Sequence, residues 1–320
     1  MRWATYSSTT ANAPLAAVLH GGRLHALPPD LTLTSVIADG DAGMAAAAER
    51  ATREPFEVVE PGDVRILAPI GRPPAFRDFM AFAEHYESGM AGLGLETDPL
   101  YYRQPTFHFS NPAAILGPTD LVPVAPGSVK FDYELEVAVV IGKGGRNISP
   151  AAAEEHIAGY TILCDWSARD HQLQEMTLRI GPAKGKDTAT SLGPHLVTKD
   201  ELEPRRAGHG FDLAMTAHVN GVLYSSGNWS SMSWPFADLI AYASRGTTLV
   251  PGDIIGGGTV GTGCILELSI VHGGDRYPWL KAGDDVELTI AEVGTIRTTL
   301  TAADEIIPLS ATPTAPVPTS

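Results

Sequence analysis

The chain has 320 residues, 44% hydrophobic and 18% charged, which excludes a disordered or fibrous protein and suits one large domain or a pair. Its net charge of −15 excludes a general affinity for nucleic acid or anionic membrane, because such surfaces need clustered Lys and Arg. An anionic substrate must then be held by a bound cation and a few local basic groups rather than by the overall field.

In chain order, residues 1–60 mix short apolar runs such as 16–19 with turn-forming Gly21-Gly22 and Pro28-Pro29, then an alanine-rich helical stretch near 43–53. This predicts a small, partly β N-terminal domain over 1–68. The Pro- and Gly-rich stretch at 61–74 is the best candidate boundary. A larger domain over 69–307 comes next, in which strand-like and helix-like pieces alternate. Residues 134–141 run Glu-Leu-Glu-Val-Ala-Val-Val-Ile, a β-branched strand ended by Gly142. Ser149-Pro150 predicts a helix start, with proline in the first turn. Asn220-Gly221 between two apolar runs predicts a type I′ hairpin. Gly252-Asp253, Gly273-Gly274 and Gly283-Asp284 punctuate the last third, so the larger domain reads as α+β and mainly β. Residues 308–320 carry four prolines among Ser, Thr and Ala, which predicts a disordered tail.

Cys164 and Cys264 are the two cysteines; neither lies in a CxxC pair or near a plausible histidine partner for zinc, and disulfides are not implied. No basic segment leads into a long apolar run at the N-terminus, and no stretch of about 18 apolar residues occurs elsewhere. A soluble cytoplasmic protein is the expectation.

Glu134 and Glu136 are two apart on one predicted strand, so their carboxylates point to the same face. Two carboxylates about 4 Å apart would repel by roughly 4 kcal/mol at an effective dielectric of 20, unless a cation or proton intervenes. Either a hard divalent cation joins them or the strand start is exposed and both are solvated. Asp165 follows the apolar run 160–164, at a strand end. Ser167 and Asp170 have capping-box spacing, which makes Asp170 structural and places Arg169 and Gln172 three apart on a new helix beside Asp165.

The motifs FDYELEVAVVIG at 131–142, DWSARDHQ at 165–172 and GPAKGKDTAT at 181–190 resemble the fumarylacetoacetate hydrolase family. The resemblance extends in order through RDFMAFAEH at 77–85 and GGGTVGTGCILEL at 256–268. It implies a C-terminal catalytic domain of mixed β-roll type, with a small N-terminal β domain. It also implies that Asp78, Glu134, Glu136 and Asp165 hold a divalent cation, Mg²⁺ first and Mn²⁺ or Ca²⁺ as alternatives, since all-oxygen ligation suits these better than zinc. By the same resemblance His85 is the catalytic base, Glu267 orients it, and Lys186, Arg169, Gln172 and Thr259 hold substrate or stabilise negative charge. Met80 and Met176 stand where the fumarylacetoacetate-cleaving members carry substrate-contacting tyrosines, which argues against fumarylacetoacetate as the substrate.

Read on their own, these residues are less specific. Were 78–85 helical, seven residues would be nearly two turns and would put Asp78 and His85 on one face. Lys186 could be a solvated loop lysine, and Thr259 could merely shape a turn. Glu267, between Leu266 and Leu268 in a predicted strand, would face away from both and need a buried partner. The expected activity is metal-dependent hydrolysis of a carbon–carbon bond in a small β-diketone, diketo acid or acylpyruvate. The alternatives are decarboxylation or keto–enol isomerisation of a 2-oxo acid such as oxaloacetate, or a non-catalytic ligand-binding homologue. A homodimer is the expected assembly.

Overall fold

The computed structural model describes residues 1–310. Strands β1 (Arg2–Ser7), β2 (Pro14–His20) and β3 (Arg23–Ala26) form an antiparallel meander. Gly21 and Gly22, at φ of 59° and 83°, make the β2–β3 turn in a backbone region that strains other residues. Helix α1 (Leu33–Ala38) opens on a capping box between Thr32 and Ser35, and α2 (Gly40–Arg53) matches the alanine-rich stretch.

The remaining elements that position the site are β4 (Phe76–Phe79), α3 (Ala83–Gly92), β5 (Phe107–Phe109), β6 (Glu134–Ile141), β7 (Ile157–Asp165), α4 (Arg169–Met176) and β8 (Thr190–Val197). After them come β9 (Ala214–Val219), β10 (Val222–Asn228), α5 (Phe236–Ala243), β11 (Ile254–Cys264), α6 (Ile265–His272), β12 (Asp285–Ile290) and β13 (Gly294–Thr301). Among the described residues they build a twelve-stranded sheet, whose path includes β3-β2-β1-β8-β7-β6-β11-β4-β5. A five-stranded sheet runs β10-β9-β12-β13 and ends on Val122–Pro123. The architecture is mixed α and β, mainly sheet.

Strand β6 is the centre of the large sheet. All eight of its residues are buried: Val137, Val139 and Ile141 enter the largest apolar cluster, while Ala138 and Val140 enter a second one on the opposite face. A strand covered on both sides needs an unbroken apolar run, which its sequence supplies after Glu136. Burying each Val or Ile contributes roughly 1.5–3 kcal/mol.

The sheet crosses the expected boundary at residue 68. Arg2 and Trp3 of β1 pair with Val197 and Leu196 of β8. The second cluster joins Trp3, Val36 and Met44 to Ala138, Leu163 and Leu192. Residues 1–68 therefore share both a sheet and a core with the larger C-terminal part, and their strands cover an edge that β8 would otherwise leave open. The tail expected from 308 lies outside the described residues from 311 onwards.

Local expectations fare unevenly. The Asn220-Gly221 turn joins β9 to β10 with φ of 51° and 77°, as a type I′ hairpin requires. Ser149-Pro150 does start a helix, but one of 3₁₀ type over Pro150–His156. Residues 78–85 are not one helix: Asp78 belongs to β4 and His85 to α3. Parallel pairing of β4 with β11, including Gly256 against Asp78, overrides the helical reading. Glu267 is in helix α6 rather than a strand. Three residues around it carry no decisive periodicity, and the helix is started by a distant acid, Asp132, that no local pattern announces.

Candidate active site

One end of the large sheet holds a cavity of about 380 Å³. Asp78 reaches it from β4, His85 from α3, Glu134 and Glu136 from β6, Arg169 and Gln172 from α4, Lys186 from the loop before β8, and Thr259 from β11. Met80 and Met176 line it as well. Asp165, at the end of β7, and Glu267, in α6, stand directly behind this wall. All twelve residues singled out in the sequence are therefore brought to one place.

The glycines of β11 make the gathering possible. A Cβ on Gly256 would lie 2.2 Å from Asp78 Oδ1 and 3.4 Å from Glu136 Oε2. Gly258, at φ 81°, lets its N–H donate to Glu136 Oε2 at 3.0 Å, and Thr259 Oγ1 donates to Glu136 Oε1 at 3.2 Å. Thr259 is thus more than a turn former. The β6–β11 pairing is irregular on both sides of Glu136, which re-aims its side chain into the site.

The solvated reading of Glu134 and Glu136 fails, because they are 5% and 1% exposed. Nor is Lys186 a solvated loop residue; its Nζ donates to Glu134 Oε2 and, at 2.7 Å, to Asp165 Oδ2. Arg169 donates from Nη1 to Glu134 Oε1 at 2.8 Å and to Gln172 Oε1 at 3.1 Å, which leaves the Gln172 amide nitrogen as a donor. Burial alone would raise the Glu134 pKa, but Arg169 and Lys186 outweigh it and hold the carboxyl well below its usual range. Lys186 is raised in turn, its burial outweighed by Asp165 and Glu134.

The other acids behave in the opposite way. Burial, followed by the charge of Asp165, pushes Asp78 up; burial, followed by the charge of Asp78, does the same to Glu136. Asp165 is pushed up to about 6, again chiefly by burial. Both oxygens of Asp78 and Oδ1 of Asp165 have no hydrogen-bond donor among the described residues. Buried carboxylate oxygens without donors are costly, and three of them on two neighbouring acids call for a cation. Oxygen-rich donors of this kind fit a hard divalent ion. Asp78, Asp165 and His108 each offer an atom within 4.8 Å of the others.

His85 Nδ1 lies 3.0 Å from Glu267 Oε2, and its Nε2 lies 4.0 Å from Glu134 Oε1. One ring nitrogen is therefore engaged by a buried carboxylate while the other faces the acid cluster. This is the arrangement of a positioned proton carrier.

Sequence reasoning missed three residues. Asp132 is fully buried and accepts from Arg169 Nε at 2.8 Å and from the first N–H groups of α6, Ile265 at 2.7 Å and Leu266 at 3.0 Å. It starts the helix that carries Glu267 and holds the arginine that holds Glu134. Its place two residues before Glu134 was the available signal. His108 lies on β5 beside Asp165, at 3.9 Å; burial, then Lys186, drops its pKa to about 4, so it is neutral. Cys264, at the end of β11, stands with His85 and Glu267. The Ser167 capping box is absent: Ser167 pairs with Asp132 in a short bridge, and Ala168 precedes the first helical residue. Asp170 instead accepts from Ser128 Oγ at 2.7 Å and Val129 N at 2.8 Å, a structural role by another route.

Comparison with known proteins gives a consistent picture. The family model described as "Fumarylacetoacetate (FAA) hydrolase C-terminal" matches residues 75–301. A human mitochondrial oxaloacetate tautomerase is 34% identical over 277 residues, which are 85% of this chain and 81% of the relative. An oxaloacetate tautomerase of Bacillus subtilis is 32% identical over 274 residues, 83% and 85% of the two chains. Among solved structures, the fumarylacetoacetate hydrolase of Exiguobacterium antarcticum superposes with a TM-score of 0.69 at 28% identity, covering 94% of this chain and 99% of the other.

Proposed function

This chain belongs to the fumarylacetoacetate hydrolase family, and from that premise we propose that it is a divalent-cation-dependent enzyme catalysing keto–enol tautomerisation of a small 2-oxo acid of the oxaloacetate class. The observation that carries this reading is the His85–Glu267 pair, with Nδ1 at 3.0 Å from a buried carboxylate and Nε2 turned to the acid cluster. Similarity to the human and Bacillus subtilis oxaloacetate tautomerases supports the choice of reaction. The order departs from the expectation drawn from the motifs, which put carbon–carbon hydrolysis first.

In this reading Asp78, Glu134, Glu136 and Asp165 would hold the cation, with His108 alongside. When bound, such an ion would grip adjacent substrate oxygens and withdraw charge from the carbonyl as a Lewis acid. His85 accepts a proton at Nε2 from the carbon between the two carbonyl groups, and the proton returns to the oxygen of the enol, so no co-reactant is consumed. Glu267 favours the imidazolium formed in between. Lys186 and Gln172 present donors where negative charge gathers on oxygen, and Arg169 keeps Glu134 ionised and in place. Thr259 steadies Glu136. Met80 and Met176 make part of the wall apolar, because a thioether offers no hydrogen bond to donate.

A second reading is hydrolysis of an acylpyruvate, which the same histidine favours by taking its proton from water. The hydroxide adds to the distal carbonyl, the carbon–carbon bond breaks, and the departing carbon takes up the proton. The experiment is to give Mg²⁺-loaded protein enol oxaloacetate and an acylpyruvate side by side and follow the loss of each. Faster ketonisation of oxaloacetate than in metal-matched buffer, abolished by His85→Ala, supports the first reading. Cleavage of the acylpyruvate with oxaloacetate unaffected would replace it with the second. Turnover of neither would sink both and leave a ligand-binding homologue.

A further inference from the structure

Cys264 takes no part in the proton transfer proposed for His85, yet it completes a cluster. Ligating atoms of His85, Cys264 and Glu267 all lie within 4.8 Å of one another. Cys264 is fully buried and Glu267 is 2% exposed, while His85 lines the cavity and gives the cluster its opening. Glu267 Oε1 is buried with no hydrogen-bond donor among the described residues, although its partner oxygen bonds His85. An unsatisfied buried carboxylate oxygen beside a thiol and an imidazole is a coordination set with a place for an ion.

We propose that His85, Cys264 and Glu267 form a second cation site, selective for a soft divalent ion such as Zn²⁺, whose occupancy switches the proton carrier off. The donor set is S, N and O, in contrast to the oxygen-rich cluster around Asp78, so the two sites sort ions by softness. Tetrahedral zinc with bonds of about 2.0–2.2 Å to N and O sets those two ligands roughly 3.3 Å apart. The observed separation of His85 Nδ1 and Glu267 Oε2 is 3.0 Å, close to that value, so the ion would take the place of the proton these two atoms share, and the donor-free Oε1 leaves the carboxylate able to turn towards it. Sulfur needs a bond of about 2.3 Å, and water entering along the cavity supplies the fourth ligand. Zinc binding deprotonates the thiol and releases that proton to solvent. If the ion takes Nδ1, the neutral ring must carry its proton on Nε2; if it takes Nε2, the accepting nitrogen is occupied. Either way His85 ceases to be a base.

The inhibitory half of this inference rests on His85 acting as the base in the proposed function, whereas the site itself does not. The test uses full-length protein saturated with Mg²⁺ and adds Co²⁺ as a spectroscopic stand-in for zinc. One equivalent should produce a thiolate-to-cobalt charge-transfer band that Zn²⁺ then removes. The band should vanish in Cys264→Ser and persist in Cys164→Ser, the other buried cysteine. Zinc should suppress turnover in the wild type. In Cys264→Ser the concentration needed should rise by at least the roughly 10- to 100-fold typical of losing a ligand's supporting partner. No thiolate band in the wild type overturns the site, whatever the variants do. A band with turnover intact overturns the switch and with it the role of His85 as base. Equal zinc inhibition of wild type and Cys264→Ser would place the inhibitory ion in the carboxylate cluster instead.

Discussion

His85, Glu267 and Asp132 show how single residues divide the work of the site. His85 is not needed to neutralise the acid cluster, so its removal should strike the chemical step and spare cation binding. His85→Ala is expected to lower kcat by roughly 10² to 10⁴, with Mg²⁺ affinity little changed by calorimetry. Glu267→Gln should act in the same direction, and the double variant should be hardly worse than His85→Ala if the two act as one unit. Losses that multiply would show that Glu267 serves some other purpose. Asp132 makes a different kind of prediction. Its removal leaves the buried Arg169 guanidinium and the Ile265 and Leu266 N–H groups without their acceptor. Asp132→Ala should therefore cost roughly 3–5 kcal/mol of stability, read from urea unfolding. A loss below about 1 kcal/mol, the scale of an ordinary hydrogen bond, would show that solvent or a neighbour replaces it.

At the scale of elements, the site depends on how closely β4, β6 and β11 approach one another. Gly256 has no side chain at the point where Asp78 and Glu136 lean across β11. Gly256→Ala should push the Asp78 carboxylate aside and weaken Mg²⁺ binding by tenfold or more, while the thermal midpoint moves little, because the displaced group is a side chain end rather than backbone. Unchanged affinity would mean that Asp78 is not a ligand. Elements of strong local pattern were legible from sequence: β6 from its β-branched run, the β9–β10 hairpin from Asn220-Gly221, and α2 from its alanines. Those set by distant partners were not. The strand Phe76–Phe79 exists because β11 lies beside it, and helix α6 because Asp132 meets its first N–H groups. Both signals are separated in sequence by more than any periodicity window can span.

For the whole molecule, the buried acids predict that cation binding and folding are linked. Asp78, Glu136 and Asp165 are crowded without enough positive charge, so an ion that binds the folded state alone should stabilise it. Mg²⁺ at 100 times its Kd should add about 2.7 kcal/mol, seen as a rise in melting temperature that EDTA reverses. EDTA should also abolish turnover, with Mg²⁺ or Mn²⁺ restoring it. A melting curve indifferent to both, with no metal by elemental analysis, would end the proposal of a cation site. The sequence by itself determined the family, the mainly β class and twelve residues that the fold gathers, ten lining the cavity and Asp165 and Glu267 behind it, because chemistry-bearing side chains sit in short motifs whose order survives in the chain. Only the tertiary structure decided that residues 1–68 share a sheet with the rest, that Lys186 and Arg169 are both committed to Glu134, and that Cys264 lies beside a histidine from the far end of the family's motif series. The physical reason is that burial and strand pairing set these contacts, and neither leaves a local trace when the partners are far apart along the chain.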